Sequence, residues 1–216
     1  MESIIPGVLG PTTRSLTTVE LAGRPARRAV IVRSFPTDPA DLWSALTDPE
    51  RVPRWFLPIS GDLRVGGRYQ LEGNAGGTVE ECEPPRRLRV TWEFGDGDPT
   101  WVTLTLAPEG AATRLELEHV GAVPEALWEQ FGPSATGLGW DLALHGLALH
   151  VGTGASVDPA EAAAWMTSPE GLAALQQSAD AWQKADVATG TSAADAAARA
   201  RRTIAAYTGQ AEPPQS

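Results

Sequence analysis

The sequence contains few of the features that mark secreted, metal-binding or membrane proteins. Its only cysteine, Cys82, excludes an internal disulfide framework and suits a reducing compartment, so we expect a cytoplasmic protein. No window reaches the ~18 uninterrupted apolar residues of a membrane span, and residues 1–13 lack the basic and apolar regions of a signal peptide. None of the three histidines has a carboxylate three or four residues after it, so we expect no metal site and no other cofactor.

Positive charge is also scarce. The 216 residues include 17 Lys and Arg against 27 Asp and Glu, which gives a net charge of −10. Apart from Arg199, Arg201 and Arg202 the arginines are scattered, so neither a nucleic acid nor an anionic membrane surface is an expected partner. The length fits one domain with an appendage.

What the chain does contain is a long series of alternating segments. Six strand-like segments lie within residues 60–119, preceded by a hairpin over 16–35 and two short proline-started helices over 38–56. A long amphipathic helix follows, from Pro133 to about Val151. This order predicts an α+β fold in which a curved antiparallel sheet wraps around the long helix and leaves an internal cavity.

The long helix carries two apolar stripes on nearly opposite sides. One stripe consists of Trp140, Leu144, Leu147 and Val151, and the other of Leu138, Leu142, His145 and Leu149. A helix lying on a sheet needs only one, so something else must cover the second. Helix starts at Asp158, Ser168 and Ser192 predict a helical hairpin that packs there.

These patterns divide the chain into four parts. We predict a flexible arm over 1–15, a sheet-and-helix domain over 16–152, a helical extension over 158–208 that packs on the long helix, and a disordered tail over 209–216.

Several short motifs occur together in one order. They are the runs 41–49 and 54–56, the run 62–67, the run 81–88 with Thr91-Trp92, and Gly139-Trp140. In this order they resemble the SRPBCC superfamily (START-like, birch-pollen-allergen-like), most closely its bacterial group similar to the C-terminal domain of the heat-shock-protein-90 ATPase activator. The resemblance covers residues 27–151 and implies a helix-grip fold with a cavity between the sheet and the long helix. It implies no particular activity.

The expected cavity wall follows from strand parity and helix faces. It consists of Trp55, Tyr69, Trp92, Leu104, Trp140 and Leu144. His119 shares the parity of the inner face, so we expect it as a polar ligand contact. Glu81 shares the parity of Val79 and would be a second polar ligand contact if Val79 points inward. Cys82, on the opposite parity, is an equally good candidate for the inward residue. We expect His145 at the interface with the extension and His150 in solvent.

The predicted function is binding. We expect a carrier or sensor module that holds a small, largely apolar molecule, with a homodimer as a further arrangement to test. Two alternatives stay open: a small-molecule enzyme of the cyclase, dehydratase or isomerase type, and a co-chaperone-like interaction protein. No catalytic motif decides between them.

Overall fold

A computed structural model describes residues 9–95 and 97–210. Its eight antiparallel strands form one curved, unclosed sheet in the order β1-β2-β8-β7-β6-β5-β4-β3. The strands are β1 (Thr12–Leu21), β2 (Arg24–Phe35), β3 (Ile59–Gly61), β4 (Arg68–Leu71), β5 (Gly76–Glu83), β6 (Arg87–Trp92), β7 (Thr100–Glu109) and β8 (Ala112–Gly121).

Six α-helices complete the architecture. They are α1 (Pro39–Thr47), α2 (Glu125–Phe131), α3 (Ser134–Thr153), α4 (Pro159–Met166), α5 (Pro169–Ala188) and α6 (Ala193–Tyr207), with a short 3-10 turn at Val52–Arg54. Among the described residues no helix combines the length and apolarity needed to cross a membrane. The predicted α+β architecture, a curved sheet around a long helix with added C-terminal helices, is confirmed.

The first hairpin has a two-residue turn. Ala22 and Gly23 both adopt positive φ, 51° and 76°, which matches the twist of two paired strands. The register pairs Thr12 with Arg33, so β1 already begins at Thr12. The last four residues assigned to the arm therefore lie in this strand, which corrects that boundary. The first eight residues of the arm, and residues 211–216 of the predicted tail, lie outside the described residues.

The core fills the concave side of the sheet. Phe35 and Leu115 are fully buried there, and Leu147 of α3 is buried against this face. The Trp140 stripe of α3 therefore faces the sheet, because its apolar residues repeat once per helical turn.

The second stripe of α3 is covered only along its N-terminal half. Leu138 is completely buried, and the His145 ring stacks on Trp165 of α4 at a centroid distance of 5.2 Å. His145 is therefore an interface residue, as expected. Leu149, one turn further on, remains 45% exposed, so the cover ends before the helix does.

A buried polar network joins α5 to the domain. The Asp141 carboxylate of α3 accepts hydrogen bonds from Arg14 Nε and Nη2 at 2.9 Å, from Trp182 Nε1 at 3.1 Å and from the Ser178 hydroxyl. Arg14 belongs to β1, whereas Ser178 and Trp182 belong to α5. One carboxylate therefore connects three segments of the chain.

Local capping rules explain where most helices begin. Asp38, Asp158, Ser168 and Ser192 each accept hydrogen bonds from backbone N–H groups of the first turn, as predicted. Asp48 closes α1, and its carboxylate accepts a hydrogen bond from the Glu50 N–H at 2.8 Å, but a 3-10 turn follows it instead of the second α-helix expected within residues 38–56. Helix α2, which has Pro124 at its N-cap and no side-chain cap, was not predicted.

His150 is 2% exposed, so its expected place in solvent is wrong. Its Nδ1 bonds the Ala155 carbonyl at 2.9 Å and its Nε2 lies 3.4 Å from Arg51 Nε. The ring holds the segment after α3 against the start of the 3-10 turn.

Gly137 marks a close approach of α5 to α3. A Cβ atom at this position would lie 2.3 Å from the Trp182 indole, which is fully buried and cannot move away freely. We expect Gly137→Ala to lower the free energy of unfolding by about 1–3 kcal/mol in spite of alanine's better helix propensity. Thermal and urea unfolding measure this change.

Gly152 offers a matched control in the last turn of the same helix. Nothing lies within 4 Å of a Cβ atom there, so Gly152→Ala should stabilise the protein by up to about 1 kcal/mol. Equal effects of the two substitutions would contradict the packing argument.

Candidate functional site

An apolar cavity of about 130 Å3 lies between the inner face of the sheet and α3. The segment from Leu46 to Leu63 contributes to its wall. The predicted residues that line it are Trp55, Tyr69, Trp92, Leu104, Trp140 and Leu144. Their contact with a ligand stays a prediction.

Two backbone contacts fix Trp55 at the cavity. Its indole Nε1 donates a hydrogen bond to the Ala45 carbonyl at 2.8 Å. On α3, a Cβ atom at Gly146 would lie 2.6 Å from the Trp55 carbonyl oxygen. A glycine at this position therefore lets the loop after the 3-10 turn lie directly against the long helix.

A cluster of aromatic rings forms one wall. Trp55 and Phe56 stack at a centroid distance of 5.4 Å, Phe56 lies 6.4 Å from Trp140, and Trp140 lies 5.0 Å from Trp92. Such offset and tilted arrangements stabilise ring clusters beyond the area they bury. Phe56 was not predicted as a wall residue, although its place beside Trp55 at the end of the second predicted helix was a usable signal.

Glu81 does not face the cavity, which corrects the expectation drawn from Val79. The register shifts between Val79 and Glu81, so one extra residue bulges out of β5 and reverses the parity beyond it. Glu81 therefore points to the outer face, where its carboxylate accepts a hydrogen bond from Arg87 Nε at 2.7 Å. Cys82, the alternative, lines the cavity.

His119 lies behind the aromatic wall and is not among the residues that line this cavity. The Trp140 indole Nε1–H donates to His119 Nδ1 at 3.0 Å, and His119 Nε2 lies 2.8 Å from the Thr100 hydroxyl. The indole can only donate, so Nδ1 is the acceptor and Nε2 carries the proton of the neutral ring. The Thr100 hydroxyl in turn donates to the Trp92 carbonyl at 3.0 Å.

Burial lowers the pKa of His119 to about 4, because its enclosed ring loses the water that would solvate a cation. At neutral pH both ring nitrogens are occupied by protein partners. The geometry therefore gives His119 a role in holding Trp140, and its predicted contact with a ligand would require one of these bonds to open.

Polar groups in the cavity wall are bonded within the protein. The Tyr69 hydroxyl donates to the Thr91 carbonyl at 2.7 Å, and the Thr47 hydroxyl donates to the Trp43 carbonyl at 2.8 Å. Burial raises the pKa of Tyr69 far above its usual range, so the phenol stays neutral. Within the described ranges, no group of three His, Cys, Asp or Glu side chains is placed to hold a metal ion.

The sequence profile of the family described as activator of Hsp90 ATPase homolog 1-like protein matches residues 36–152, more than half of the chain. The chain belongs to this family. The resemblance drawn from its motifs is thereby confirmed. No curated protein sequence matches the chain.

Solved structures support the same assignment to the activator-like family. The crystal structure of CalU16 from Micromonospora echinospora is 34% identical, covers 81% of this chain and 98% of its own, and superposes with a TM-score of 0.65. Its solution structure gives a TM-score of 0.70 over 82% of this chain and 96% of its own. DynU16, from the dynemicin biosynthetic locus, is 27% identical over 60% of this chain and 48% of its own, with a TM-score of 0.51. These neighbours support a ligand-binding fold.

The match to CalU16 extends past the activator-like domain. Because 81% of 216 residues is about 175 residues, at least about 20 of the matched residues lie beyond residue 152. CalU16 therefore shares part of the C-terminal helices that cover α3.

Proposed function

We propose that this protein is a binding module, a carrier or sensor, that holds one small apolar molecule in the cavity between the sheet and α3. The observation that carries the proposal is the chemistry of the cavity wall. Aliphatic and aromatic side chains form it, while the Tyr69 and Thr47 hydroxyls and the Trp55 and Trp140 indoles beside it already have protein partners. An apolar ligand fits such a wall because it requires no further hydrogen bonds.

The size of the cavity supports a ring-sized ligand or ligand part. Its volume of about 130 Å3 is close to the ~150 Å3 of an engineered apolar cavity that stays dry and binds benzene. Burial of apolar area drives such binding at about 25 cal/mol per Å2.

The titratable groups of the wall favour binding over acid–base catalysis. Among the described lining residues these groups are the Tyr69 phenol and the Cys82 thiol. The Tyr69 phenol is bonded to Thr91 and its pKa is raised, whereas a general acid or base works best with a pKa near the working pH.

The neighbours support a small molecule as the ligand. DynU16 comes from the dynemicin biosynthetic locus, and 60% of this chain shares its fold. That origin favours a product or intermediate of small-molecule metabolism over a macromolecular ligand.

Binding of benzene tests the proposal. Isothermal titration calorimetry should give a dissociation constant on the order of 0.1–1 mM. This corresponds to about 4–5.5 kcal/mol, well below the ceiling of about 1.5 kcal/mol per heavy atom for a six-atom ligand. Ala143→Leu places three more carbon atoms in the cavity wall and should weaken binding at least about tenfold.

Ala173, exposed on α5, gives the matched control. Ala173→Leu should leave the affinity for benzene unchanged. Absence of benzene binding to the unmodified protein, or equal affinities for the two leucine variants, would contradict the proposal. Where benzene binds as expected, native mass spectrometry of protein isolated from its own host would identify the molecule that the cavity retains.

A further inference from the structure

A second, larger hollow lies on the other side of Trp92. It is an open groove of about 440 Å3 between β2, the ends of β6 to β8, and α2. Residues that line it include Arg27, Phe94, Thr100, His119, Leu127 and Trp128. Phe94 and Leu127 are 65% and 51% exposed, so the groove presents apolar surface that the described chain leaves uncovered.

Only one layer of rings separates the groove from the cavity. Trp92 borders both hollows, Trp140 lines the cavity, and His119 lines the groove. The Trp92 ring lies 5.0 Å from Trp140 and 6.3 Å from His119 between centroids. A rotation of the Trp92 or Trp140 side chain would therefore join the two spaces.

The bond that holds this layer closed is weak. It is the neutral hydrogen bond from Trp140 Nε1–H to His119 Nδ1, whose net contribution is a small fraction of a domain's stability. His119 itself is held more firmly, because the Thr100 hydroxyl supports its other nitrogen. When Trp140 moves away, His119 Nδ1 becomes a fixed acceptor at the boundary between the cavity and the groove.

The two hollows also differ in polarity. The cavity wall is apolar, whereas the groove adds the Arg27 guanidinium, the Asp98 carboxylate and the Thr100 hydroxyl. The Arg27 guanidinium lies 4.6 Å from the centre of the Trp128 ring and 3.7 Å from the Glu125 carboxylate. Polar groups of a ligand would therefore find partners only at the groove end.

We propose that the cavity and the groove are two halves of one binding site. The ligand class is an elongated amphipathic molecule whose apolar end enters the cavity past Trp92. Its polar end lies in the groove and carries a hydroxyl group that replaces the Trp140 N–H as the donor to His119 Nδ1. This inference rests on the proposed function, because it takes the cavity as the inner half of the site.

Comparison of 4-hexylphenol with benzene tests this arrangement by isothermal titration calorimetry. Benzene fills the cavity alone, whereas 4-hexylphenol has a tail for the cavity and a phenol for the groove. The hexyl tail takes the place of benzene in the cavity, so the gain comes from the phenol ring in the groove. Burial of about four of its six carbon atoms, at about fourfold in affinity each, should make 4-hexylphenol bind at least about 100-fold more tightly than benzene.

Two variants report on the two halves. Leu127→Arg places a charge at the groove and should weaken 4-hexylphenol about tenfold while leaving benzene unchanged. Ala143→Leu fills the cavity and should weaken both probes. Leu172, 40% exposed on α5 and not among the groove residues, is the matched control, and Leu172→Arg should change neither affinity.

The outcomes separate this inference from the proposed function. If benzene binds but 4-hexylphenol is insensitive to Leu127→Arg or to Ala143→Leu, the long probe occupies one hollow only and the inference is overturned while the proposed function stands. If benzene does not bind, the proposed function and this inference both fail. Sensitivity of 4-hexylphenol to both substitutions, with benzene sensitive to Ala143→Leu alone, supports the joined site.

Discussion

Replacing Asp141 by alanine is expected to lower the free energy of unfolding by about 3–5 kcal/mol, because the substitution leaves a buried cation without its partner. The Arg14 and Asp141 side chains are only 8% and 2% exposed, so water cannot replace the lost bonds. The same change removes the acceptor of the Ser178 hydroxyl and of the Trp182 indole N–H. Urea unfolding followed by circular dichroism measures the loss.

A surface ion pair serves as the control. Arg86 and Glu83 are bonded at 2.8 Å, but their side chains are 73% and 54% exposed, so Glu83→Ala should cost less than about 1 kcal/mol. The double variant Arg14→Met with Asp141→Leu removes both buried charges and should be more stable than Asp141→Ala alone. If Asp141→Ala costs no more than Glu83→Ala, the network does not stabilise the fold.

The position of Asp141 explains why the C-terminal helices belong to the core of this protein. Its carboxylate binds Arg14, which lies 127 positions earlier in the sequence, and also binds the Ser178 and Trp182 side chains of α5. Leu138 beside it is fully buried, and so is Trp182. Without α5 the second stripe of α3 and the Arg14 guanidinium would face water. The extension of the CalU16 match beyond residue 152 agrees with a shared need for this cover.

Local sequence rules predicted the elements that depend on local chemistry. Period-two alternation identified most of the strands, and side-chain caps such as Asp158, Ser168 and Ser192 placed helix starts. The segment predicted at Leu63 and Val65 is wrong, because β3 lies just before it at Ile59–Gly61. The two apolar stripes of α3 could be recognised from the sequence of that helix alone, and the second stripe predicted that another segment buries it. Six of the eight predicted site residues line the cavity for the same reason, since helix faces and strand parity decide where they point.

The errors arose where a distant or irregular contact overrides the local pattern. The bulge in β5 reverses parity within four residues, so Glu81 faces outward and Cys82 inward although Val79 was placed correctly. His150 is buried because the chain after α3 folds back over it. No local signal marks the partners of Asp141, because Arg14 comes from the first strand of the sheet.

The second large effect concerns pH and His119. The folded-state pKa of about 4 lies below the ordinary value of 6.5, so between these values the unfolded chain binds a proton that the folded protein does not. Stability should therefore be complete above about pH 6.5 and fall as the pH drops towards 4. From pH 7 to about pH 4.5 the expected loss from this residue alone is about 2–3 kcal/mol. Urea unfolding across this range measures the slope.

His119→Phe isolates the contribution of the imidazole. Phenylalanine keeps a ring against Trp92 and Trp140 but cannot take up a proton. The free-energy cost of losing the hydrogen bonds to Trp140 and Thr100 is therefore the same at every pH. The stability difference between unmodified protein and variant should shrink as the pH falls from 6.5 to 4.5. Carboxylates such as Glu93 titrate in both proteins and cancel in this difference. Parallel pH profiles, or a His119 ring signal in NMR that titrates near pH 6.5, would show that water reaches the imidazole in the free protein and would contradict this prediction.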